Sequence, residues 1–241
     1  GWLGAARVET FYETNPGDNL PPKVRTVGRL AYDGRYLYAA LECDDPEPGK
    51  IRAPYAQRDV LGGGTDYAGI ILDTRNDGRT AILFLANPRG IQYDAVTDDG
   101  NEDSSPDFHW EAAAKITPTG WNLEIRIPFS SLRYDRADPQ TWGILLYRNR
   151  PRDFRYQMFS ARLPRGRPLR VRSRRRRRFA PLQEAPARPL ERGADRLRAP
   201  AEPARQEPLR HGVEGHPVLR PREAMPLVRI EQIRHGDPLL L

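Results

Sequence analysis

The stretch Trp121-Asn-Leu-Glu-Ile-Arg-Ile127 alternates apolar and polar residues without a break. Successive side chains of an extended chain leave on opposite faces. Trp121, Leu123, Ile125 and Ile127 therefore share one side, and Asn122, Glu124 and Arg126 the other. This is the pattern of a half-buried strand. Upstream, Arg35-Tyr-Leu-Tyr-Ala-Ala-Leu-Glu-Cys43 repeats it, with Leu37, Ala39, Leu41 and Cys43 on one face and Tyr36, Tyr38 and Glu42 on the other. Two stretches, Asp66 to Asp73 and Thr80 to Ala86, are apolar on both faces, as central strands are. Between them, Asn76-Asp77-Gly78 predicts a hairpin turn, since glycine accepts the positive φ such turns demand. Further strands are expected near 24–32, 91–96, 108–117, 142–149 and 156–161, and Phe129-Ser-Ser-Leu132 should form one helical turn after Pro128. About nine short strands with turn punctuation and few helix signals predict an all-β protein, an antiparallel β-sandwich.

The residues able to build a core lie almost entirely before residue 163. Of 21 aromatic residues only Phe179 follows that point. The chain through Arg162 carries 20 Lys and Arg against 23 Asp and Glu; the remainder carries 19 Arg, no Lys and 9 acids. The formal charge of +7 thus averages a mildly acidic domain with a basic tail. The tail has 12 Pro in 79 residues and no apolar period, so it is expected to be largely disordered. Its run Arg174 to Arg178 would attract polyanions by counterion release, but no aromatic residues interleave to stack bases. An Arg-, Pro- and Ala-rich tail is also what a shifted reading frame yields in a GC-rich gene, and both explanations stay open.

Several function classes are excluded or disfavoured. No apolar run approaches the ~20 residues of a membrane helix. The single Cys43 permits no internal disulfide and no cysteine-based zinc site, and its strand position predicts a small buried residue. Glu42, Glu111 and Glu124 fall within strand patterns, His109 is the only histidine ahead of the tail, and no nucleophile elbow or phosphate loop is present. Intrinsic catalysis is therefore not expected.

Several phrases occur in order: Tyr32-Asp-Gly-Arg-Tyr-Leu-Tyr38, Asp45-Pro, Arg58-Asp59, Asp66 to Thr74, Asn87-Pro-Arg-Gly90, Asp107-Phe-His-Trp110, Gly120 to Arg133, and Thr141-Trp-Gly143. Together they resemble the family 9 carbohydrate-binding-module-like domain, in the variant found at the N-terminus of bacterial outer-membrane-associated β-barrel proteins. The resemblance covers roughly 2–166. It implies a jelly-roll-like sandwich over 1–166, followed by a low-complexity basic tail over 167–241 where the family continues into a membrane barrel. It also implies a missing first strand, and hence a fragment. In the family's sugar binders two Trp residues enclose the sugar. The first would fall at Tyr32, and a ligand-contacting Arg would correspond to Leu85. The implied role is non-catalytic recognition of oligo- or polysaccharides, tied to carbohydrate catabolism in the periplasm or at the cell surface. A membrane β-barrel would be the partner, and 1–166 would bind no nucleic acid.

Sugar recognition needs an aromatic face beside planar hydrogen-bonding groups. Tyr32, Tyr36, Tyr38, Trp110 and Trp142 are the candidates, although core packing is the alternative for both Trp residues, and Tyr36 and Tyr38 could simply cover one side of the sandwich. Calcium, a cofactor of some family members, needs several oxygen ligands on a loop. Asp94, Asp98, Asp99, Asp103 and Asp107, with Glu102 among them, are the candidates; a solvated acidic loop is the alternative.

Overall fold

The computed structural model describes residues 2, 4–98, 101–136 and 140–163, together with the backbone of 227–230. The chain forms strands β1 (Ala6–Val8), β2 (Tyr12–Asn15), β3 (Thr26–Tyr32), β4 (Tyr36–Asp44), β5 (Tyr67–Asp73), β6 (Thr80–Ala86) and β7 (Gln92–Asp98). These are followed by β8 (Asn101–Asp103), β9 (Glu111–Thr117), β10 (Gly120–Pro128), β11 (Gln140–Pro151), β12 (Arg155–Phe159) and β13 (Leu227–Ile230). Nine of the thirteen have five or more residues and correspond to the strands expected from the sequence pattern. The other four are too short to leave a periodic signal. The only helical elements among the described residues are two 3-10 turns, Pro48–Lys50 and Phe129–Ser131, the second at the position foreseen.

All pairings are antiparallel, in two sheets. One runs β1-β3-β4-β10-β9; the other runs β2-β12-β11-β5-β6-β7-β8, with β13 paired to the start of β11. β13 lies within the stretch expected to be disordered; the rest of 167–241 lies outside the described residues. The opening heptad sits in β10, in register with β4, so that Leu123 faces Leu41, Ile125 faces Ala39 and Ile127 faces Leu37. The shared apolar face of these two strands meets Ile70, Leu72, Phe84, Ile144 and Leu146 of the other sheet, which forms the interior of the sandwich.

β5 is buried at every position, as its apolar run from Tyr67 to Leu72 predicts. Its outer face joins Leu83 and Leu85 of β6, Tyr93 and Ala95 of β7, and Leu145, Tyr147 and Phe159 in a second apolar layer that Leu61 also enters. Gly69 keeps β5 close to β6, because a Cβ there would lie 2.0 Å from the Phe84 carbonyl oxygen. The β5–β6 hairpin turns through Asn76 and Gly78, both at positive φ. Asp73 closes it by accepting the backbone N–H groups of Asp77 and Gly78.

Candidate functional site

Three regions gather side chains that could meet a ligand. The first is the outer face of the five-stranded sheet. Alternation along β4 points Tyr36 and Tyr38 away from the core, and the β4–β10 register sets Arg126 beside Tyr38. Both tyrosines are half-buried, with ring centroids 6.0 Å apart and planes inclined by 46°. The Arg126 guanidinium lies 4.9 Å from the Tyr36 centroid and donates to Glu111 Oε1. The Tyr38 hydroxyl donates to Asp33 Oδ2 at 2.7 Å. Burial, reinforced by that acceptor, pushes the Tyr38 pKa well above its ordinary value, so the phenol stays protonated. Trp2 donates to Glu124 Oε1 on the same face. The rings of Tyr36 and Tyr38, the Trp2 indole, a fixed guanidinium and three carboxylates thus share one sheet surface.

The other aromatic candidates are elsewhere. Trp110 is 4% exposed, packs edge-on against Phe84, and donates to Asp94 Oδ1 at 2.8 Å. Trp142 is fully buried against Phe129 and Tyr134. Tyr32 is buried in the interior cluster. A ring enclosed in this way presents no face to a sugar, so Tyr32, Trp110 and Trp142 serve as core. Leu85, where the resemblance aligns a ligand-contacting Arg, is buried in the second apolar layer. That face is hydrophobic here.

The acidic stretch does not converge. Asp94 is wholly buried and saturated: Arg58 and the Trp110 indole donate to Oδ1, and the Phe108 N–H donates to Oδ2. It pins the segments around 58 and 108 to β7, with Asp59 accepting the Asp94 N–H. Asp98 is exposed at the end of β7, Asp103 accepts the Ser105 N–H, and Asp107 is largely exposed, 3.4 Å from Arg58. Asp99 lies outside the described residues. No group of three metal-ligating side chains assembles among the described residues.

The third region had no signature that sequence reasoning singled out. Residues 148, 150 and 152 of Arg148-Asn-Arg-Pro-Arg152 are arginines at alternate positions, and all three side chains are at least nine-tenths buried. They converge on Asp45, which accepts from Arg150 twice and from Arg152 at 2.7 Å. Arg152 also donates to Asp66 at 2.8 Å. Arg148 reaches the backbone oxygens of Arg25 and Asp44, tying this end of one sheet to the other. Burial alone would raise the Asp45 pKa, but the Arg150 hydrogen bonds, the Glu47 N–H and the charges of Arg150 and Arg152 prevail and hold it at about 2. For Asp66 burial prevails and the pKa is raised. The recurrence of Arg at i, i+2 and i+4 was the available clue. It is easily missed because buried arginines are rare unless paired.

The fold therefore defines a class, an all-β antiparallel sandwich of two sheets. No family model and no curated protein sequence matches the chain. Among solved structures, it is similar to a candidate carbohydrate-binding protein from Bacteroides uniformis ATCC 8492, with a TM-score of 0.51 and 12% identity over 67% of this chain and 81% of that one. A family 9 carbohydrate-binding module from Caldicellulosiruptor kristjanssonii in complex with cellotriose aligns with a TM-score of 0.43 and 15% identity, over 64% of this chain and 70% of that one. The same module in complex with glucose gives 0.43 and 15%, over 66% and 74%. The first of these likenesses establishes that the fold implied by the sequence phrases is the fold found.

Proposed function

We propose that this domain is a non-catalytic carbohydrate-binding module, with the outer face of the five-stranded sheet as its platform. The observation that carries the reading is the Tyr36–Tyr38–Arg126 group. The rings offer apolar surface to the C–H face of a pyranose, while Asp33, Glu111 and Arg126 stand at the edge to take its hydroxyls. Ring orientations are fixed by Asp33 and Arg126, so little rotamer entropy remains to be lost on binding. The ligand class is oligo- or polysaccharide. The wider role is recognition of glycans for catabolism, in the periplasm or at the cell surface, beside a membrane β-barrel partner. Isothermal titration of the full chain with xylo- and cello-oligosaccharides, with and without calcium, tests this. Binding heat that disappears in Tyr36→Ala supports the reading; no heat with either series defeats it.

A second reading, an interaction domain of a barrel protein without sugar affinity, is favoured by one feature. Leu85, at the position where the resemblance places a ligand-contacting Arg, is buried in the second apolar layer and offers no polar group to a sugar.

A further inference from the structure

A cavity of about 730 Å³ opens beside the buried arginine cluster, formed by residues of the turn between Glu47 and Arg52 and by Arg152 and Asp153. It lies beyond the C-terminal end of β4, whereas Tyr36 and Tyr38 sit at the N-terminal end. Nine strand residues place the two regions roughly 26 Å apart along the strand.

The charges on its wall are unequal in their commitments. Glu47 is engaged by Lys50 and lies 3.8 Å from Arg150. Both Asp153 oxygens accept the Tyr156 hydroxyl, at 3.0 and 3.1 Å. Arg152 is held between Asp45 and Asp66. Arg52 is different. Its side chain is exposed, the guanidinium's only hydrogen bond among the described residues is a long one of 3.4 Å to the Arg152 carbonyl, and no carboxylate comes within ion-pair distance of it among those residues. Behind the wall, Asp45 and Asp66 face three buried arginines, so the excess there is positive too. Ile51 adds a half-buried apolar surface. The volume falls in the range of small-molecule sites, roughly 300–1,000 Å³.

We propose that this cavity binds a carboxylate-bearing saccharide, a uronic acid, with the carboxylate on the Arg52 guanidinium. A planar guanidinium fork matches a carboxylate with two parallel hydrogen bonds. Glu47 and Asp153 can then accept sugar hydroxyls on either side. Those same two carboxylates disfavour a dianionic phosphate, which would set its second charge against them. The site goes beyond the platform reading and uses none of its residues.

The test is a titration of the isotope-labelled full chain followed by amide chemical shifts, at ~150 mM salt to screen the tail arginines. The probes are galacturonic acid, glucuronic acid, glucose and inorganic phosphate. Saturable shifts at Gly49, Lys50, Arg52 and Asp153 are expected with the uronic acids, with affinity at least ~10-fold above that for glucose, the range of a charge-assisted pair. Arg52→Ala, an exposed substitution that leaves the core intact, should abolish the preference, whereas Tyr36→Ala should leave it unchanged. Shifts confined to Arg174 to Arg178, equal affinity for phosphate, or full retention of binding in Arg52→Ala would each overturn the proposal. Loss of neutral-sugar binding in Tyr36→Ala bears only on the platform.

Discussion

Arg150 meets Asp45 side-on, with Nε 2.8 Å from Oδ2 and Nη2 3.1 Å from Oδ1, and the pair joins the end of β11 to the residue that follows β4. One acid thus serves Arg150 and Arg152 and lies 3.8 Å from Arg148.

Removing that acid strands buried positive charge. Asp45→Ala is expected to lower stability by about 3–5 kcal/mol, the cost of breaking a buried ion pair on one side. Urea melts should show the midpoint falling with little change in slope. A loss under about 1 kcal/mol would mean that water reaches the arginines, against their burial.

The same carboxylate should give the fold an acid limit. Its folded pKa of about 2 lies below the ordinary value of 3.8. Its contribution is therefore complete above that ordinary value and is lost as pH falls toward 2. Asp66 has the opposite shift and gains stability as pH falls from above its raised pKa to 3.8, a window above the one in which Asp45 loses it. Thermal melts should therefore decline in the wild type between pH 3.8 and 2. In Asp45→Asn the decline over the lower part of that range should flatten, and an unchanged slope would remove Asp45 from this role.

Tyr36→Ala and Tyr38→Ala should each weaken oligosaccharide binding by about 10-fold, the worth of roughly one aromatic contact, while the melting midpoint moves little. Trp110→Phe should do the reverse. It removes the indole N–H that reaches Asp94 but leaves Arg58 and Phe108 in place, a cost of about 1–3 kcal/mol in stability with ligand affinity unchanged. Affinity loss in Trp110→Phe alone would exchange the two assignments.

Gly69→Ala is the sharpest packing test. Its Cβ would sit 2.0 Å from the Phe84 carbonyl and 2.9 Å from Leu85 Cα, both backbone atoms that cannot swing aside. A loss at or above the upper end of the about 1–3 kcal/mol typical of overpacking is expected, read by chemical denaturation. A neutral outcome would show that β5 and β6 part more readily than their pairing suggests.

The sandwich was legible because period-2 alternation is a direct imprint of one buried face: β4 and β10 could be read residue by residue, and β5 and β6 from their lack of alternation. The site was far less so. The sequence phrases that carried the resemblance are largely polar nodes of the fold. Asp33 takes the Arg35 and Tyr36 N–H groups, Asn87 Oδ1 takes those of Arg89 and Ile91, and Asp45, Asp73 and Asp94 are consumed as described above. A motif residue that satisfies buried backbone looks, in sequence, the same as one that awaits a ligand. For Trp110 and Trp142 both core packing and sugar contact stayed open in the sequence, since periodicity cannot tell an inward indole from an outward one near a strand end. The arginine cluster depends on Asp45 and Arg150, 105 residues apart, and no local pattern reports such a meeting.

The double enclosure of β5 has a kinetic counterpart. A strand covered by the sandwich interior on one side and by a second apolar layer on the other has no face from which solvent can enter locally. Its amides exchange with heavy water only when the whole domain opens. The exchange rates of Ile70 and Ile71 therefore measure the global unfolding free energy directly, whereas β1 and β8, short strands at the sheet edges, release their protons first.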